Sequence, residues 1–180
     1  MLAERSALVD HEAMDVRLAE SDADLAEVGW LFHAFLSWHR ERHVSDLELI
    51  DAYFDRAAYD REVDGLPGAY APPDGCLLAG WESGLALGCV AYQRLDAESC
   101  EMKRMFVPTT ARGRGVGRAL AEELLTRAGA AGYRTMYLDT SVRQTEAITL
   151  YRDLGFTEVE PYYDVPEEMR GWLTFFRLDL

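Results

Sequence analysis

Arg112-Gly113-Arg114-Gly115-Val116-Gly117 is the stretch on which the reading of this chain turns. It lies in a segment, Met102 to Ala121, with no acidic residue and five basic ones, Lys103, Arg104, Arg112, Arg114 and Arg118, in a chain of formal net charge −14. A local reversal of sign of that kind marks a place for an anion. The spacing of Leu120, Leu124, Leu125 and Ala128 predicts a helix from Val116 to Ala131, so the glycines stand at a helix N-terminus. Glycine lets backbone N–H groups approach a ligand closely, and the helix start adds about half a positive charge, so a pyrophosphate would find donors and field together.

Three nucleotide motifs compete for such a turn. A Walker loop needs Gly-Lys-Ser or Gly-Lys-Thr, and the only lysine in the chain is Lys103, which excludes it. The dinucleotide fingerprint G-x-G-x-x-G fails by one residue, because Arg118 stands where its third glycine belongs. A methyltransferase using S-adenosylmethionine has a G-x-G-x-G turn and an acidic residue closing the next strand, a place Asp139 could take. Against it, Pro108 to Ala111 separate the strand from the glycines, and arginines are a strange cradle for a cationic ligand.

Working outward, Asp15 to Ala19 reads as a first strand, and Ser21 or Asp22 caps a helix carrying Leu25, Val28, Phe32, Phe35 and Leu36. A second helix is predicted from Asp46 until Gly65, Pro67 and Gly68, with Leu47, Ile50, Tyr53, Phe54 and Ala57 at helical spacing. Cys76 to Trp81, Leu85 to Leu95 and Ser99 to Val107 read as successive antiparallel strands, and Tyr133 to Asp139 as another. Ser141 and Gln144 have the spacing of a capping box for a helix through Leu154, with Gly155 behind it. Strands near Phe156 to Tyr163 and Trp172 to Leu178 close a mixed α/β order.

The whole resembles the GNAT family of acyl-CoA N-acetyltransferases. Arg112 to Gly117 is similar to that family's phosphate loop, Glu101-Met102-Lys103-Arg104-Met105-Phe106-Val107-Pro108 to its fourth strand, and Ala147-Ile148-Thr149-Leu150-Tyr151-Arg152-Asp153-Leu154-Gly155-Phe156 to its late helix and following turn. The resemblance implies one domain over residues 1–180, with 1–13 a flexible tail and the motifs in 76–180. It implies a mostly antiparallel sheet of six or seven strands, splayed between the fourth and fifth and flanked by about four helices. It further implies acetyl-CoA as co-substrate and no metal. Direct attack of a primary amine would follow, the amine being a small molecule or a peptide or protein amine, cationic ones included. Met105, Phe106 and Val107 would meet the pantetheine, and Arg112, Gly113, Arg114, Gly115, Val116, Gly117 and Arg118 the pyrophosphate. Tyr151 would be the general acid and Glu101 the base, with Glu82, Asp139, Asp164 and a terminal carboxylate from the last hairpin as substitutes. Gln144 replaces the family's usual asparagine, so it either contacts the pantetheine or caps its own helix. A catalytically silent CoA-binding module fits the same motifs, and a homodimer is a habit of the family.

Bland readings stand beside several of these. Tyr151 can be a core aromatic with Ile148 and Leu154, and strand alternation puts Glu101 and Lys103 on one face as an ordinary ion pair. His39 and His43 are four apart but flanked by Arg40, Glu41 and Arg42, which reads as a solvated helix end, while Trp30, Phe35 and Trp38 read as core or groove lining. Cys100 beside Glu101 suggests a ping-pong nucleophile, with no histidine near it in sequence. Two acidic clusters, Asp60-Glu62-Asp64 and Glu158 to Glu168, would steer a cationic amine or serve solubility.

Composition bounds the rest. With 180 residues, 49% hydrophobic, one compact core is expected. The charge disfavours nucleic acid and an anionic membrane surface. Met1 to Asp15 carries four acidic residues and no apolar run, so a signal peptide is not expected. Three cysteines without C-x-x-C spacing argue against a disulfide framework and suit a reducing cytosol.

Overall fold

The computed structural model describes residues 14–180; the expected flexible tail over 1–13, and with it the reading of the chain start, lies outside the described residues. Seven strands form one sheet in the order β1-β2-β3-β4-β5-β7-β6. They are β1 (Asp15–Leu18), β2 (Cys76–Glu82), β3 (Leu85–Arg94), β4 (Ser99–Phe106), β5 (Thr135–Ser141), β6 (Thr157–Val159) and β7 (Leu173–Asp179). All neighbours are antiparallel except β4 and β5.

Alternation along the strands supplies two cores. Leu77, Ala79, Cys89 and Ala91 face one side, where α1 (Asp22–Arg42), α2 (Leu47–Tyr53) and α3 (Arg56–Asp64) pack. Cys76, Leu78, Val90 and Tyr92 face the other, under α4 (Val116–Ala130) and α5 (Thr145–Asp153). Ser21 and Asp24 form the capping box that starts α1, whose stripe Val28, Leu31, Phe32 and Leu36 is buried. Trp30 lies off that stripe and is 60% exposed, which corrects its reading as core or groove.

The helix expected from Asp46 to Gly65 is two helices. Phe54 leaves helical geometry and turns its ring against Phe35 and Tyr59, while the Asp55 carboxylate accepts from Ala58 N at 2.7 Å and starts α3 anew. Five α-helices therefore flank the sheet among the described residues, where about four were expected.

Two irregularities of β4 set up the site. Cys89 pairs with Phe106 and Ala91 with Lys103, so two steps along β3 face three along β4, and Arg104 takes up the difference as a bulge at φ +56. The ladder between β4 and β5 covers only Ser99–Glu101 and Thr135–Tyr137. Beyond Glu101 the two strands part.

Candidate active site

The gap between β4 and β5 joins two hollows. On the α4 side lies a cleft walled by Met105, Phe106 and Val107, by Arg112, Gly113, Gly115, Val116 and Gly117, and by Trp38, Ala147 and Leu150. On the α1–α3 side lies a chamber lined by Phe35, His39, Tyr53, Phe54, Lys103, Asp139, Tyr151 and Trp172. Phe35, Met105, Gln144 and Ala147 border both, so the passage runs through the sheet.

At the cleft's outer end Gly113 and Gly115 hold φ of +75 and +79, conformations other residues rarely adopt, and Gly115 is the N-cap of α4. The first helical bond near it runs from Ala119 N to Gly115 O, so the N–H groups of Val116, Gly117 and Arg118 have no earlier turn to bond. Arg112 Nε donates to the Val107 carbonyl at 2.9 Å, and its guanidinium lies 4.5 Å from the centre of the Trp38 ring. The arginine thus ties the glycine turn to the end of β4. Arg114 pairs with Glu82, and Arg118 with Asp153 at 3.2 Å, so neither lines the cleft.

Gln144 stands at the N-cap of α5, but its side chain makes no capping bond. The Ser141 hydroxyl accepts from Arg143 N, and the Gln144 side chain crosses to α1, its amide nitrogen 2.8 Å from His39 Nε2. His39 is buried in the chamber wall, which corrects its reading as part of a solvated helix end. Burial, with His43 beside it, pushes the imidazole down to about 4, so it is neutral at ordinary pH and accepts the Gln144 donor. Its folded-state value is below the unfolded one, so the unfolded chain binds the extra proton and stability falls as pH drops from about 6.5 towards 4. The expected loss is about 2 kcal/mol by about pH 5 relative to pH 8. Urea unfolding across that range, with His39→Gln flattening the slope, checks it.

The chamber floor is a polar network on β4 and β5. Lys103 Nζ is 2.8 Å from Glu101 Oε1 and 3.3 Å from Asp139 Oδ1. Tyr53 and Tyr163 donate to Asp139 Oδ2 at 2.6 and 2.9 Å, and Tyr162 and Gln93 donate to the two oxygens of Glu101 at 2.7 and 3.0 Å. Burial disfavours the Lys103 charge, but the Asp139 and Glu101 carboxylates outweigh it and raise the ammonium above its ordinary value. Glu101 stands behind Lys103, outside the chamber lining, while the Asp139 side chain, 1% exposed, forms part of the wall.

Tyr151, on α5, lines the chamber with its ring held edge-on against Phe156 and tilted against Phe176. Burial, helped by Asp139, raises its hydroxyl above the ordinary range. Cys100 faces the opposite core, its thiol donating weakly to the Thr135 carbonyl and pushed up by burial to about 12. Among the described residues no group of three or more His, Cys, Asp or Glu is arranged to hold a metal ion. No described helix is long and apolar enough to cross a membrane.

Residues 32–156, spanning both hollows, match the family described as the acetyltransferase (GNAT) family. The chain belongs to the GNAT family. Membership sets aside the methyltransferase alternative. A relative named as an uncharacterized N-acetyltransferase from Schizosaccharomyces pombe is 41% identical over 99 residues, covering 54% of this chain and 61% of that protein. An IAA acetyltransferase from Azospirillum brasilense is 43% identical over 94 residues, 51% of this chain and 61% of the relative. The chain therefore spans under two thirds of the length of these curated relatives. In structure it is similar to a PaiA N-acetyltransferase from Thermoplasma acidophilum solved with coenzyme A, at TM-score 0.71 and 14% identity, over 94% of this chain and 100% of the other. The GNAT fold, splayed between β4 and β5, is as the sequence led us to expect.

His39, Tyr53 and Trp172 of the chamber lining, and Tyr162 on Glu101 behind it, lay outside the sequence-based site. None carries a local motif. They reach the gap from α1, α2 and the segment between β6 and β7.

Proposed function

We propose that the chain binds acetyl-CoA in the cleft and transfers the acetyl group to a primary amine that enters through the chamber, by direct attack. The observation that carries this reading is the parting of β4 from β5 beyond Glu101, beside a glycine turn at a helix N-terminus. The stretch Met105 to Val107, which the β5 ladder does not reach, suits pairing with a pantetheine arm, and a backbone N–H there could polarise the thioester carbonyl. Val116, Gly117 and Arg118 offer N–H groups to the pyrophosphate, with Arg112 holding the turn and Arg114 and Arg118 at its rim. Gln144, poised between the two hollows, would keep the acetyl end and the acceptor in line.

The transfer forms one C–N bond and breaks one C–S bond. The ammonium first gives up a proton to a carboxylate, the second nitrogen proton leaves as the intermediate collapses, and the departing sulfur gains one, so one proton is released overall. Tyr151 is the donor to sulfur in this reading. For the base, Asp139 is favoured by its place in the chamber wall; Glu101, whose oxygens already serve Lys103, Tyr162 and Gln93, would act through that network. The buried Cys100 thiol argues for direct attack over an acyl-enzyme.

Thermal unfolding with acetyl-CoA tests the assignment. At about 100 times its dissociation constant the ligand stabilises by roughly 2.7 kcal/mol, a clear rise in midpoint. S-adenosylmethionine should give none, and a midpoint unmoved by acetyl-CoA would defeat the reading.

A further inference from the structure

Lys103 and Arg104 line the chamber and also a second hollow, about 410 Å³ in volume, to which α3 contributes Arg61. The turn from Gly65 to Tyr70 and Gln93 of β3 complete its wall, and Glu62 is the one carboxylate in that lining among the described residues.

The carboxylates around the two cations have their oxygens taken, whereas the cations keep donors to spare. Glu62 accepts from Arg104 Nε and Nη2 at 2.8 and 2.6 Å and from the Tyr70 hydroxyl at 2.7 Å. Glu101 serves Lys103, Tyr162 and Gln93, and Asp139 serves Lys103, Tyr53 and Tyr163. A guanidinium carries five N–H groups and an ammonium three. Arg104 Nη1 has no partner among the described residues, and Lys103 faces two carboxylates with three protons.

Arg61 is exposed and makes no hydrogen bond or ion pair among the described residues. Its acidic neighbours on α3 do not take it, since Asp60 pairs with Arg56 at 3.0 Å and Asp64 lies outside the hollow's lining. Counted with Arg61, the cations equal the carboxylates Glu62, Glu101 and Asp139, so the unspent charge is that of Arg61 and the unspent hydrogen bonds are donors. A carboxylate complements both, with one negative charge and lone pairs enough for a guanidinium fork and further N–H groups. A phosphate dianion would bring a second charge up against Glu62.

We infer that this hollow binds a carboxylate of the acceptor, held by Arg61 against the spare donors of Arg104 and Lys103, so that the acceptor is an amino acid whose acid group stands on an arm away from the reacting nitrogen. This deepens the acetyl-transfer reading above and rests on it. The amine lies in the chamber and the acid in the hollow, with the two β4 cations between them. Arg61 touches the acid and not the reacting atoms, so it sets specificity and takes no part in proton transfer.

The test compares β-alanine, 4-aminobutanoate and 6-aminohexanoate, as acceptors for the purified chain, each with its own primary amide, which keeps the shape and loses the charge. The rate of thiol release from acetyl-CoA gives kcat/KM for each, and thermal unfolding with acetyl-CoA is run in parallel. The expected result is a preference for the acid of about tenfold or more in at least one pair, the scale of one charge-assisted contact. Arg61→Gln should bring that ratio close to one and Arg61→Lys should keep part of it, with the rise in midpoint on acetyl-CoA retained in both, because Arg61 is not part of the cleft. No acid better than its amide, or a preference that survives Arg61→Gln, would overturn the inference and leave acetyl transfer standing. So would acetyl-CoA binding with no thiol release by any of the acids. A midpoint unmoved by acetyl-CoA would overturn the transfer reading itself, and this inference with it.

Discussion

Replacing Tyr151 by phenylalanine is expected to lower the turnover number about 100-fold, the scale of one general acid, while the KM for acetyl-CoA stays within a few-fold. The substitution removes a hydroxyl and keeps the ring. That ring is what packs against Phe156 and Phe176, so α5 and the cleft should hold their shape. The hydroxyl is buried and raised above its ordinary value, so it stays protonated throughout the range in which an amine can be acetylated. The loss should therefore be nearly the same at every assay pH, and thiol-release kinetics on acceptor and donor in turn would show it. An unchanged turnover number would return Tyr151 to the role of a core aromatic.

Glu62→Ala should be the most damaging single change to stability outside the apolar cores, at about 3 kcal/mol. Arg104 is only 14% exposed at its side chain, its guanidinium lies 4.9 Å from the centre of the Tyr59 ring, and it occupies a left-handed backbone position that a side chain tolerates only when its surroundings insist. Glu62 supplies that insistence from α3. Without it a buried charge has no partner and Tyr70 loses an acceptor. Because the Arg104 bulge immediately precedes Met105 to Val107, which wall the cleft, the variant should also bind acetyl-CoA more weakly. Urea unfolding should show a lower midpoint at unchanged slope, and Glu62→Gln, which keeps an acceptor, should recover part of both losses. A midpoint equal to that of the parent chain would mean the pair is replaceable by water.

What could be read from the sequence was what is local. The glycine turn, the arginines and the helix behind them are consecutive, and their chemistry survives without knowing what lies opposite. The strands of the meander were equally visible, because alternation is a property of each strand alone. The break at Phe54 was hidden, since Leu47, Ile50, Tyr53, Phe54 and Ala57 keep helical spacing straight across it. Only the aromatic neighbours of Phe54 explain why its ring turns inward. Ser141 and Gln144 had the spacing of a cap, but the amide found a better partner on α1, 105 residues away in sequence. His39 was misjudged from its charged neighbours, which occupy other faces of the helix. Trp30 could have been placed correctly, because it falls between the positions of the buried stripe.

The single lysine has a consequence of its own. Lys103 is sealed between two carboxylates, and all other cationic side chains with permanent charge are guanidinium groups, which thioesters do not acylate at neutral pH. Along its described surface the protein carries no ε-amine to compete with the acceptor. It can work in a pool of reactive thioesters without gradually neutralising its own exterior, and amine-directed dyes or crosslinkers will find little purchase on it.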